Sequence, residues 1–163
     1  MPAATLRSID STQPAYPTFL NGTSRRVDIV WLDFHGAPVV YKTLKPRETF
    51  RVTTFVTHPW LFVDADTRDR LLGRLKYVYM PEAPKSRPIK RDIVMITVPV
   101  FPLLARALQV VRNSLKPEIK TICFESEKVP DAIKGLGLPH TLQIKLMAFI
   151  KSSQELKLPI SSD

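Results

Sequence analysis

"TVPVFPLLARALQVVRNSLKP", Thr97 to Pro117, is the stretch in which the hydrophobic pattern of this chain changes period. Upstream, apolar residues alternate in short runs; downstream they recur every three or four positions. Pro99 and Pro102 stand at the change. Pro102 suits a first helical turn, where its fixed φ is helical and its missing N–H would have had no partner. Pro117 lies just past the expected end. At about 100° per residue, Val110, Leu103, Ala107, Val111, Leu104, Leu115 and Leu108 fill an arc of roughly 160°. Arg106, Gln109, Arg112 and Asn113 fall outside it. A helix packed on its own domain accounts for such a stripe. So does a stripe completed by another protein, because a short helical tail is too small to bury so broad a face comfortably by itself.

Upstream, "RRVDIVWLDFHG" (Arg25 to Gly36) alternates, with Val27, Ile29 and Trp31 on one parity before Gly36-Ala37-Pro38 turns the chain. "VVYKTL", the long run "ETFRVTTFV", "RLKYVYMP" (Leu75, Tyr77 and Tyr79 on one parity) and "DIVMITVPV" complete the strand set. Short strands separated by turn signals predict an antiparallel β-sandwich. "PDAIKGLGLPHTLQIKLMAFI" adds one or two short helices, broken by Gly135, Gly137 and Pro139. The expected fold is mainly β with a small α domain: an antiparallel β-sandwich over 1–98, then a short three-helix cluster over 99–155. Residues 156–163 are expected to be a flexible tail.

Fifteen prolines against five glycines in 163 residues fit short strands interrupted by rigid turns. No run approaches the roughly 18 apolar residues of a membrane span, and "MPAATLRSID" has no apolar core of a secretory signal. One cysteine, Cys123, excludes an internal disulfide framework and fits a reducing compartment; cytoplasm and nucleus are the expected location. Asn21-Gly22-Thr23 matches a glycosylation sequon and reads as a turn. The net charge of +9 is spread: 15 basic and 9 acidic residues through Thr97, then 9 and 6. That favours acidic partners without identifying one.

Catalytic constellations are missing. His35, His58, His140 and Cys123 show no metal-ligand spacing, and there is no phosphate loop or nucleophile elbow. Asp64 and Asp66 in "DADT" could ligate a cation, but solvated carboxylates at a strand end read the same way. No cofactor, metal or catalytic residue is expected. "FVTHPWLFVDADT" (Phe55 to Thr67) is more informative. Trp31 and Trp60 each read as core filling, and His58 as a satisfied surface histidine. Yet Thr54, His58 and Trp60 share a parity, and would emerge on one face of a regular strand. An aromatic wall beside a hydroxyl and an imidazole suits a small apolar ring with one hydrogen-bonding group.

"LRSIDS", "VDIVWLDFHGAPVVYKTL", "HPWLFVDADTRDRLL" and "PVFPLLARALQVVRNSLKPE" resemble the von Hippel–Lindau tumour suppressor family, from about Leu6 to Glu118, and faintly beyond. The resemblance implies a substrate-recognition subunit of an E3 ubiquitin ligase, itself non-catalytic. It would bind hydroxyproline in hypoxia-inducible factor α subunits and target them for ubiquitination and proteasomal degradation. Implied partners are elongin C, elongin B and a cullin with its RING partner. The family's hydroxyproline pocket falls on Trp31, Tyr41, Thr54, His58 and Trp60. Its elongin C-binding face falls on Leu103, Arg106, Ala107, Leu108, Val110 and Val111. Thr54 stands where the family usually has serine, Thr53 where it usually has histidine, Pro59 also differs, and Ala107 replaces a cysteine. Two alternatives remain: a protector that binds hydroxylated substrate without recruiting the ligase, and a basic nucleic-acid-binding β module built on Lys85, Arg87, Lys90 and Arg91. The latter is disfavoured because the basic loop lacks interleaved aromatics.

Overall fold

The computed structural model describes residues 6–85 and 88–154, so the expected tail at 156–163 lies outside the described residues. The chain divides between Pro99 and Val100 into two compact units. The first contains β1 (Pro14–Ala15), β2 (Pro17–Asn21), β3 (Val27–Leu32), β4 (Pro38–Leu44), β5 (Thr49–Arg51), β6 (Thr54–Phe55), β7 (Trp60–Asp64), β8 (Arg70–Gly73) and β9 (Asp92–Thr97). One sheet runs β4–β3–β7–β8–β9–β2–β5, and β1 pairs with β6 in a second, small one. The pairings are antiparallel except β2–β9, which is parallel. The large sheet curls until its edges meet. Lys42 on β4 reaches Glu48 at 2.7 Å and lies 5.7 Å from the centre of the Phe50 ring on β5.

Phe19 on β2 sits at the middle of the enclosed core, 5.3 Å from Trp60, 5.2 Å from Phe62 and 5.8 Å from Tyr79 between ring centres. Replacing it with alanine would destabilise the unit by about 3–5 kcal/mol, the range for buried aromatics. β8 packs so tightly on this cluster that a Cβ at Gly73 would lie 2.1 Å from the Phe62 ring. Polar residues hold the rim. Buried Asn21 donates to the carbonyls of Arg25, Leu44 and Lys45 and accepts from the Thr23 amide and hydroxyl. The sequon asparagine is thus a strut joining a turn to β4, with its amide fully engaged.

The strand pattern departs from expectation in three places. "ETFRVTTFV" splits into β5 and β6, with Val52 and Thr53 between. "RLKYVYMP" is largely turn: Arg74 and Leu75 adopt positive φ (50° and 63°), Leu75 is 81% exposed, and only Tyr79 points into the core. The strand instead lies just upstream, at β8. β2 carries no alternating signal because both of its faces are largely buried.

Among the described residues the second unit has four helices: α1 (Leu103–Ser114), α2 (Pro117–Glu125), the single turn α3 (Asp131–Lys134) and α4 (His140–Gln154). Pro117 both follows α1 and opens α2. Leu108, Leu115, Cys123, Ile133, Leu146 and Ile150 form the core, with α1, α2 and α3 each packed on α4.

Candidate functional site

In the first unit, three neighbouring strands each supply one ring. Trp31 on β3 stands opposite Trp60 on β7. Tyr41 comes from β4 by a β-bulge. Ile29 pairs with Lys42 but Val30 pairs with Val40, which leaves Tyr41 as the extra residue. Bulges re-aim side chains, and this one sets the Tyr41 ring 5.1 Å from Trp60 and 5.9 Å from Trp31, edge-on to both.

The small sheet brings the polar groups. β6 pairs with β1 so that Thr54 faces Ala15. The chain then turns, His58 N–H donating to the Phe55 carbonyl at 3.0 Å, before β7 begins at Trp60. Thr54, His58 and Trp60 are therefore not on one regular strand, and shared parity is not what joins them. The turn joins them. Pro59 fits there because only its carbonyl is required, as acceptor for the Leu32 N–H at 3.0 Å. The Trp60 indole N–H donates to Thr54 Oγ1 at 3.1 Å. A hydroxyl has one proton and two lone pairs, so with one lone pair taken Thr54 keeps its proton for another acceptor.

His58 lies 5.2 Å from the Trp31 ring, 5.5 Å from Phe34 and 5.1 Å from Phe55. Its Nε2 is 3.4 Å from Ser11 Oγ. Burial pushes its pKa below the ordinary 6.5, opposed by the hydrogen-bonding backbone and the charge of Asp10. The ring is consequently neutral at pH 7. A proton carried on Nε2, the nitrogen that faces Ser11, would leave Nδ1 as the acceptor of the pair.

All five expected residues converge. Tyr41 is half exposed and Trp31 partly so, while Thr54, His58 and Trp60 are buried. The arrangement is an open aromatic wall over a floor nearly free of water. On such a floor an unpaired donor or acceptor is most costly. Thr53, by contrast, is exposed.

Four contributors escaped sequence reasoning. Ser8 Oγ accepts the Trp31 indole N–H at 2.8 Å and donates to the Leu32 carbonyl at 2.6 Å, which fixes the wall. Ser11, Phe34 and Phe55 surround the imidazole. The two serines lie in "LRSIDS", which has no periodicity to mark it. Asp64 and Asp66 bind no shared centre: they pair with Arg25 at 2.9 Å and Arg26 at 2.5 Å. Among the described residues no cluster of His, Cys, Asp or Glu is placed to hold a metal.

In the second unit α1 is amphipathic in an inverted sense. Its buried residues are Leu108, Gln109 and Arg112, Gln109 being fully inaccessible and Arg112 lying 5.0 Å from the Phe149 ring centre. Leu103 is 86% exposed, Val110 58%, and Arg106 and Ala107 are also exposed, with Val111 at the margin. Leu108 turns inward and joins the core, so it is not on the outer face with which it was grouped. The wide apolar arc could not show which part faces out.

A mainly β domain with a convergent aromatic–hydroxyl–imidazole site, followed by helices, defines the class to which the chain belongs. A profile of the VHL beta domain matches residues 6–87. Protein Vhl of Drosophila melanogaster is 32% identical over 141 residues, spanning 83% of this chain and 77% of that protein. The chain is a member of the von Hippel–Lindau family.

Proposed function

We propose that this chain is the substrate-recognition subunit of an elongin and cullin ubiquitin ligase, and that it reads hydroxyproline in hypoxia-inducible factor α subunits. The observation that carries the reading is the convergence of Trp31, Tyr41, Thr54, His58 and Trp60. The rings wall a pyrrolidine; Thr54 donates to its hydroxyl oxygen, and His58 Nδ1 accepts the hydroxyl proton. Plain proline leaves both floor groups unpaired. At about 1–3 kcal/mol each, this gives roughly 10²–10⁴-fold discrimination. Nothing in the chemistry requires a catalytic group; the receptor presents its substrate to others.

The ligase half of the reading is supported by α1. An exposed Leu103, Ala107 and Val110 above a partly polar buried side is a helix whose apolar face awaits a partner. Elongin C is the occupant proposed, with elongin B and a cullin beyond it. Ala107, in place of the family's cysteine, weakens docking by roughly 1 kcal/mol without changing the polarity of the face.

Two peptides identical except for one proline hydroxyl test the reading. The hydroxylated peptide is expected to bind at least about a hundredfold more tightly. Equal binding would remove the mechanism. Coexpression with elongins B and C tests the second half: co-purification supports the adaptor, and its absence supports a protector that binds substrate alone. The compartment proposed is cytoplasm and nucleus.

A further inference from the structure

β8 and β9 show the core one face and turn another away from it. Leu71, Val94 and Ile96 belong to the core cluster, so by strand alternation Arg70, Leu72, Ile93, Met95 and Thr97 point out. Leu72 stands opposite Thr97, and Leu20 on β2 stands beside Met95. Ile93 is 63% exposed and Met95 51%. This apolar strip runs to the turn after β8. Gly73 and Lys76 exchange two backbone hydrogen bonds there, at 2.9 and 3.1 Å, around Arg74 and Leu75. Arg74 N–H donates to the Met95 carbonyl at 3.3 Å, which fastens the turn to β9.

Two features at this end of the strip are unfavourable for folding alone. The first is the turn. Two central residues at positive φ define a tight hairpin that asparagine and glycine fill at least cost. Leu75 takes the second place, where its Cβ crowds the following carbonyl, and its side chain stands in solvent, 81% exposed. Strain of this kind is kept where it serves a function. The second is Arg70. One terminal nitrogen donates to the Tyr77 carbonyl at 2.8 Å, while Nε is buried without a partner. No carboxylate acts on it among the described residues, and burial opposes its charge. Arg70 is nonetheless only partly buried, so its guanidinium can be reached. An under-satisfied arginine beside exposed Met, Tyr and aliphatic side chains has the composition of an interface anchor.

We propose that Leu20, Leu72, Ile93 and Met95, with Leu75 at the end of the strip and Arg70 as its cation, form a docking surface for another protein. That partner offers one carboxylate amid large apolar side chains on a short exposed segment. The inference stands apart from the reading under Proposed function. Charge selects the occupant. A second copy of the chain would bring Arg70, Arg74 and Lys76 against themselves across a twofold axis, with +9 on each side. A bilayer fits less well, because one leucine at a turn tip is a marginal anchor. The charge of Glu82, felt by both Arg74 and Lys76, also opposes anionic headgroups.

The test selects phage-displayed random peptides on the immobilised full chain. Such a library holds no hydroxyproline, so the aromatic floor does not drive enrichment. Enriched sequences are expected to share an aspartate or glutamate beside large apolar residues. A synthetic peptide of that consensus should bind the parent chain at least about tenfold more tightly than it binds the Arg70→Gln or Leu75→Asn variant. Asparagine tolerates the left-handed backbone at position 75, so the Leu75→Asn protein should melt at or above the parent temperature. Lost docking is thereby separated from lost folding. A selection without that consensus, or a consensus peptide that either variant binds as well as the parent does, overturns the inference. So does sedimentation with vesicles of about one-third phosphatidylserine that Leu75→Asn abolishes, the behaviour of a membrane-facing turn.

Discussion

Thr54→Val removes one hydroxyl and almost nothing else in volume, and its consequences can be worked from two contacts. Thr54 Oγ1 accepts the Trp60 indole N–H at 3.1 Å, and both residues are buried. Valine leaves that N–H without an acceptor, destabilising the fold by about 1–3 kcal/mol. For a unit of this size that lowers Tm by roughly 4–8 °C per kcal/mol. The ligand loses a donor to its hydroxyl oxygen in the same step. Any general loosening of the site weakens hydroxylated and plain peptides alike, so the decisive quantity is the ratio of their Kd values. That ratio should shrink by about tenfold to a hundredfold. Thr54→Ser, which keeps the hydroxyl and drops only a methyl, should restore most of it. Fluorescence polarisation with the paired peptides, alongside a thermal melt, measures both effects. An unchanged ratio in a folded Thr54→Val protein would refute the assignment of Thr54 to the ligand hydroxyl. So would a Thr54→Ser variant that behaves like valine.

Other expectations follow from the same contacts. His58 has a depressed pKa, so its neutral form, and the stability and affinity that depend on it, are fully present above about pH 6.5 and are lost as pH falls through the lower folded value. Peptide affinity should be flat between about pH 8 and 6.5 and decline below; a decline beginning above pH 7 contradicts a neutral acceptor. Leu103→Asp should abolish co-purification with elongin C while leaving Tm within about 1 kcal/mol-equivalent of the parent, whereas Leu108→Ala should destabilise the helical unit by about 2–5 kcal/mol in chemical denaturation. Gly73→Ala should destabilise the first unit by about 1–3 kcal/mol, because its methyl overlaps the Phe62 ring; a neutral result in urea unfolding would show that the ring can move aside.

The legible parts of the fold were those whose residues declare a period. β3, β4 and β9 alternate or run apolar between turn signals, and α1 carries the stripe that begins after Pro102. β2 was hidden because Pro17 opens it, a position where proline is tolerated, and because Thr18 and Phe19 are both buried. The 74–79 run misled for the opposite reason. Its alternation is real in sequence, but positive φ at Arg74 and Leu75 breaks the strand, and nothing short of the tertiary contact at Gly73 announces that. α2 carries too weak an apolar stripe to be separated from loop.

The site divides along similar lines. Resemblance to a family, not periodicity, points to its five residues; Thr54, His58 and Trp60 share a parity in the chain but meet through the turn at 55–58. Tyr41 reaches the site through a bulge, which no local pattern encodes. Ser8 and Ser11 act through an irregular segment that docks at the end of β3, where only long-range hydrogen bonds reveal their purpose. The direction of α1 was likewise a tertiary matter: Gln109 and Arg112 turn inward against the ordinary expectation for polar side chains.

The chain has two tryptophans, one in the wall and one in the floor, so its indole N–H groups give two well-identified resonances in a ¹⁵N-correlated spectrum. Titration with a hydroxyproline peptide should shift both Trp31 and Trp60 signals in step with saturation, while the plain-proline peptide at the same concentration leaves them in place. Identical responses to the two peptides, or tight binding of the hydroxylated peptide with both indole signals unmoved, would contradict the account.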